Sequence, residues 1–249
     1  MADGKKLVTS NGQIPTEKLV MKDHELIMAG YSLSLEEQRL ILACIEKAQR
    51  IQPPLNTDAI KISINVKEYA DLCEIGMGAA YKALANSAHK LYDQSVKIND
   101  QGIRREVRWL QEKAFYDSGK VTITFSSMIS KHIRDIVTKK AIYRLEQATQ
   151  LRSQHAIRLF EILQIVIDQD TQQGEWEVTL SELKELLELP IAYDRWIDLK
   201  KRVIESSVAQ INKNTSLKVD WEVAAKEGRQ ISAVKFTVFE SNQLSLGLA

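Results

Sequence analysis

The strongest constraint on this chain is a pattern that occurs twice, 114 residues apart: Ile62, Asn65, Glu68 and Leu72 are answered by Trp176, Thr179, Glu182 and Leu186. In each copy a short alternating apolar run reads as a strand. An Asn or Thr followed three residues later by Glu then reads as a capping box, in which side chain and backbone satisfy each other's orphan groups at a helix start. One matched cap is within chance. Four aligned roles, each followed by another helix and a hairpin, predict two copies of one architecture, and 249 residues give room for both.

In the first copy, Ser34 to Glu37 is a further capping box. It predicts a helix to about Arg50 with Ile41, Cys44, Ile45 and Ala48 inward, ended by Pro53-Pro54. After the strand at Ile60 to Ile64 and the helix through Leu72, Gly76 and Gly78 mark a turn. A third helix follows, with Tyr81, Leu84, Ala88 and Leu91 on its buried face. A strand near Val96 to Ile98 then leads to a hairpin of Arg104 to Phe115 against Lys120 to Phe125, turned at Asp117-Ser-Gly119. Ser126 to Gln150 reads as a helix and connector.

The second copy starts with a helix from about Ser153, carrying Ile157, Phe160, Ile165 and Val166 and broken by Gly174. A strand at Trp176 and Val178 and a leucine helix stopped by Pro190 come next. From Tyr193 to Asn214 the apolar residues Trp196, Leu199, Val203, Ile204 and Ile211 recur at three- and four-residue steps, while Arg195, Lys200, Lys201 and Arg202 crowd the first turns. Leu217 to Val223 and Val234 to Val238 alternate around a Glu227-Gly228 turn. Helix, helix, hairpin is the order of a winged-helix DNA-binding domain. The fold class expected is α+β: two tandem winged-helix domains related by a pseudo-repeat.

A net charge of +1 is too small for a chain coated in positive charge, so any anion-binding surface is local. Residues 131–158 hold seven basic against two acidic side chains, and acid gathers at Glu182, Glu185 and Glu188. Cys44 and Cys73 lie inside apolar helical stretches, which argues against a disulfide or a zinc site and points to the cytoplasm. The opening residues lack a signal peptide's apolar core, and no run is long enough to cross a membrane. His24, His89, His132 and His155 have no metal-ligand spacing, Gly4-Lys5 and Gly119-Lys120 lack a phosphate-loop context, and no Tyr has clustered His for strand nicking. No catalytic residue, metal or cofactor is expected.

In a winged helix the third helix enters the major groove, and a forked Arg can bond a guanine twice. Arg195, at the N-terminal end of that helix, is the first candidate. Lys200, Lys201 and Arg202 divide between bases and phosphates, with Lys213 further along. The other reading is a solvated face whose cations pair with Asp194, Asp198 and Glu205. Lys226 and Arg229 flank the hairpin turn, where they reach phosphate or simply keep a loop soluble. In the first copy Lys82 is the helix candidate, with Tyr81 either beside it or in the core. Arg104, Arg105 and Arg108 lie in its hairpin, for phosphate or for pairing with a second copy. Arg158 is read as structural or backbone-contacting.

Four stretches resemble the replication initiators of iteron-containing plasmids, the RepB/RepE type: Ala29 to Arg39, Ala156 to Glu161, Tyr193 to Arg202, and Ile211 to Thr215 with Lys226 to Gln230. The Gly76 to Lys82 stretch matches less well, and the modest net charge departs from many members. The resemblance implies a non-enzymatic protein that binds double-stranded direct repeats at a plasmid origin as a monomer and opens them with host replication proteins. As a homodimer it would repress its own gene at an inverted repeat. The expected division is a flexible arm at 1–28, a first winged helix at 29–137 for dimerisation and DNA contact, a second at 138–241 as the main sequence reader, and a tail at 242–249. A dimeric transcriptional regulator and a protein-interaction scaffold docking through Glu182 to Glu188 are the alternatives.

Overall fold

The computed structural model describes residues 17–51, 58–100, 102–134 and 140–241. Its elements are β1 (Leu19–Asp23), α1 (His24–Ile27), α2 (Leu35–Ile51), β2 (Lys61–Asn65), α3 (Val66–Cys73), α4 (Met77–Asp93), β3 (Ser95–Asp100), β4 (Ile103–Arg108), β5 (Leu110–Tyr116) and β6 (Lys120–Phe125). Then come α5 (Ser127–Arg134), β7 (Lys140–Arg144), α6 (Leu145–Thr149), α7 (Gln154–Val166), β8 (Gln173–Thr179) and α8 (Leu180–Leu186). The last helix, α9, spans residues 196–214, and β9 (Leu217–Glu227) and β10 (Gln230–Glu240) follow it.

Each half packs three helices on a three-stranded antiparallel sheet, ordered β2-β6-β5 in the first and β8-β10-β9 in the second. The repeat holds in detail. Asn65 and Thr179 each cap their helix with a complete capping box, closed by Glu68 and Glu182. Leu199 and Val203 are buried 119 positions after Ala80 and Leu84, whereas Ser207, Val208 and Ile211 are buried 120 after Ser87, Ala88 and Leu91. The extra residue enters where Leu199–Glu205 is wound as a π-helix, whose i to i+5 bonds take one more residue into a turn without losing the inward face. The winding segment is the one that carries Lys200, Lys201 and Arg202.

Several expectations change. Residues 19–27 are not an arm: β1 pairs antiparallel with β7, and Val20, Leu26 and Ile27 are fully buried. The Ser126 to Gln150 connector therefore contains a strand and a short helix, α6, and its strand belongs with the start of the chain. Arg104 to Phe115 is two strands, because buried Trp109 turns the chain from one sheet into another: β4 pairs with β3, and β5 with β6. Helix α7 stops at Val166, well before Gly174, which lies in β8 where a Cβ would meet the Val166 carbonyl oxygen at 2.3 Å. Gly174 permits a close approach rather than breaking the helix. Helix α8 ends at Leu186, ahead of Pro190. Pro53-Pro54 and the 242–249 tail lie outside the described residues.

Candidate nucleic-acid interface

Helix α9 is prepared by a short 3-10 turn, Ile191–Tyr193, in which Tyr193 N–H bonds the Pro190 carbonyl at 2.9 Å. Arg195 then takes the extended N-cap conformation and points outward, its side chain 77% exposed. Its Nε donates to Asp198 Oδ2 at 2.6 Å, and the other oxygen of Asp198 lies 3.5 Å from Arg202 Nε. The hydrogen bond from Arg195 holds the Asp198 carboxyl below the usual carboxylate range and raises the arginine in turn. Lys200 sits 3.5 Å from Glu205 and 5.8 Å above the Trp221 ring, while Lys201 is exposed and makes no ion pair with the described residues. The pairs expected of a merely solvated face are thus partly present, but they engage the Nε of each arginine rather than its terminal nitrogens.

Opposite this charge, Leu199, Val203 and Ile204 are buried, and Trp196 meets Trp221 edge-on at 6.2 Å, fastening the helix to β9. Strands β9 and β10 run past their third partner. β8 pairs with β10 only from Ala233 to Phe239, so the ribbon through Lys226, Gly228 and Ile231 projects alone. Register shifts between Ile231 and Val234 mark the departure, and Gly228 turns the tip at a φ of +62°. Lys226 and Arg229 are exposed there with no ion pair to the described residues. Lys213 is elsewhere, roughly 27 Å along the helix from Arg195 at about 1.5 Å per residue. It lines an open groove of about 1010 Å³ with Lys18, Arg144 and Lys218.

The first half is built alike and furnished differently. The outward start of α4 carries Met77, Tyr81 and Lys82, with Tyr81 54% exposed. Tyr81 is not core because Ala80 and Leu84 already define the inward face. The hairpin β5–β6 folds back: Val66 N–H bonds the Gly119 carbonyl at 2.9 Å, Lys120 lies 4.1 Å over Tyr116, and Lys113 bonds the His89 carbonyl at 3.3 Å. Arg104, Arg105 and Arg108 belong instead to the separate β3–β4 arm, a correction to their expected place in this hairpin. Arg108 is further committed, donating to the carbonyls of Asp93 and, at 3.5 Å, Tyr92, which end α4.

The feature that sequence reading left undeveloped lies beneath both halves. Glu161 of α7 is buried and accepts from Lys22 Nζ at 2.9 Å and from the Tyr143 hydroxyl at 2.7 Å. Arg158 donates to the Tyr31 hydroxyl at 2.6 Å, to the Ala29 carbonyl at 2.9 Å, and to Leu186 at the end of α8 at 3.4 Å. Burial opposes ionisation of Glu161, but Lys22 and Arg158 outweigh it and keep its carboxyl below the ordinary range. Of the two parts expected for Arg158, structural or backbone-contacting, its burial and these bonds give it the structural one. The signal was its spacing of three from Glu161, in a stretch otherwise apolar.

Among the described residues one group combines metal-ligating types, Asp23, Glu25 and His132. Asp23 is already engaged, accepting from Glu25 N–H at 2.5 Å as the cap of α1 and lying 3.2 Å from His132 Nδ1. No helix among the described residues is long and apolar enough to cross a membrane.

The chain matches the family described as "Initiator Replication protein, WH1" over residues 19–164 and "Initiator Rep protein, WH2" over residues 179–238. It is 26% identical to a replication initiation protein of Escherichia coli over 235 residues, covering 93% of this chain and 72% of that one. An uncharacterized 27.6 kDa protein of Escherichia coli is 22% identical over 218 residues, 82% of this chain and 89% of the relative. Among solved structures, the Pi initiator protein in complex with iteron DNA has the same fold, with a TM-score of 0.75, 19% identity, and coverage of 92% of this chain and 99% of the other.

Proposed function

The chain belongs to the initiator replication protein family, and from that premise we propose that it is a non-enzymatic, sequence-specific binder of double-stranded DNA that starts plasmid replication at origin repeats. The observation that carries this is the start of α9. Asp198 bonds the Nε of Arg195, which orients the guanidinium and leaves its two terminal nitrogens for the paired acceptors of a guanine. Lys201 lies six residues further along, and Lys226 and Arg229 project on a ribbon suited to phosphate. Lys200 and Arg202 supplement these; Lys82, with Arg104 and Arg105, gives the first domain a weaker set of cations. Lys213 and Arg108 are assigned lesser parts, in backbone attraction and in ending α4.

Two such heads on one chain suit successive major-groove segments about 34–36 Å apart. In this reading the second domain is the main sequence reader. The first adds backbone contact and pairs two copies, so that monomers occupy direct repeats with host replication proteins while dimers repress the gene at an inverted repeat. Cytoplasmic residence follows from that task. The test is selection of bound duplexes from a random pool, followed by sizing of the complexes. Recovery of a direct-repeat unit bound by one chain supports the proposal; recovery only of a palindrome bound by two chains supports a dimeric regulator, and recovery of no sequence rejects both.

A further inference from the structure

Ile197 is out of place by the rules that explain its neighbours. It stands second in α9 and is 46% exposed, between Arg195 and Lys201 on the face opposite buried Leu199 and Val203. A β-branched residue is a mediocre helix former, and the first turn of a helix favours acids that complement its dipole. Neither propensity nor core packing therefore accounts for an isoleucine here. The equivalent position of the first domain, Gly78, two residues after the N-cap Gly76 as Ile197 is two after Arg195, bears no side chain at all.

The proposed reading head has one use for an apolar group among its cations. A base pair shows a hydrocarbon feature in the major groove only at thymine, whose 5-methyl group is read by apolar contact. Resting on the DNA-binding proposal, we infer that Ile197 is a specificity-determining residue that recognises a thymine methyl beside the base pair read by Arg195. A methyl removed from water between Ile197 and the base strengthens binding; a cytosine, or a uracil that keeps every hydrogen-bonding atom of thymine, offers nothing to bury. Ile191, 85% exposed in the preceding 3-10 turn, is a second apolar side chain near the same helix end and serves as the control.

The experiment measures binding of the full chain to its selected duplex with each thymine replaced singly by deoxyuridine. The inference expects one or two positions at which the replacement weakens binding about three- to fivefold, the worth of one buried methyl. With Ile197→Ala that difference vanishes; with Ile197→Val part of it remains, and with Ile191→Ala it is unchanged. Thymine and deoxyuridine bound alike by the native protein, or a preference that survives Ile197→Ala or disappears with Ile191→Ala, overturns the inference and leaves DNA reading intact. Failure to select any duplex overturns the DNA-binding proposal and this inference with it. Because Ile197 is exposed, the alanine variant folds, which its unfolding midpoint checks.

Discussion

Helices α4 and α9 have almost the same inside and quite different outsides. Both follow a capped helix, bury residues at equivalent steps and are trailed by a hairpin. Yet the outward start of α4 carries Met77, Tyr81 and one cation, Lys82, while α9 gathers Arg195, Lys200, Lys201 and Arg202. The hairpins repeat the contrast: one is tied down through Gly119 and its lysines rest on tyrosines, whereas the other runs free beyond its sheet. A duplicated scaffold conserves what the core requires, and the solvent face is left to take on separate work.

The largest expected effect removes the ground on which both halves stand. Glu161→Gln leaves Lys22 and Arg158 buried without their counter-charge and should cost about 3–5 kcal/mol, read from the urea midpoint. Because Arg158 reaches both Ala29 and Leu186, the two halves should unfold together. Separate transitions by two probes would break the picture of one shared foundation.

The next two predictions set the halves against each other, on the premise that the protein binds DNA as proposed. Arg195→Ala should weaken binding roughly tenfold or more when the matching base pair is present and much less when it is changed, whereas Lys82→Ala should lower affinity evenly across sequences. Equal, sequence-blind losses would erase the distinction between the two reading helices. Replacing Lys226 and Arg229 together should flatten the dependence of log K on log salt by about 0.9 for each phosphate that the ribbon no longer neutralises. Lys120→Ala, in the hairpin held against Tyr116, should leave that slope unchanged.

The smallest effect should be the same in both halves. Asn65→Ala and Thr179→Ala each remove one capping-box partner and should cost about 1 kcal/mol. The paired carboxylates give this a pH signature. Burial works against ionisation of Glu68, but the Asn65 amide and Lys47 hold its pKa below the ordinary 4.5; the Thr179 hydroxyl and amide do the same for Glu182. A depressed carboxyl stabilises the fold above its unfolded value and stops doing so as pH falls through the folded one. Glu68→Gln and Glu182→Gln, which remove the titrating partner, should therefore converge on the native protein below that window, whereas Asn65→Ala, which keeps the backbone amide bonded to Glu68, should stay displaced at every pH, as followed by acid titration of stability.

The repeat, the capping boxes, the periodicity of α9 and the turn at Gly228 were legible because each is local: a helix face or a cap is set by residues three or four apart. The same locality explains the misreadings. Arg104 to Phe115 looks like one long strand until buried Trp109 assigns its two parts to different sheets, and Leu19–Asp23 looks like an arm until β7, over a hundred residues away, pairs with it. Tyr81 fits the apolar stripe as well as Ala80 does, and only the packing around α4 chooses between them.

By itself, then, the sequence determined that there are two matched units and that the second carries the denser cationic helix, since periodicity and charge are properties of neighbours in the chain. Tertiary structure decided the rest. It closed Lys22, Tyr31, Tyr143, Arg158 and Glu161 into one buried cluster, took Arg104, Arg105 and Arg108 out of the first hairpin, and set Asp198 against the Nε of Arg195. The cluster and the strand pairing join groups far apart along the chain, and Asp198's choice of nitrogen depends on side-chain geometry that spacing alone leaves open.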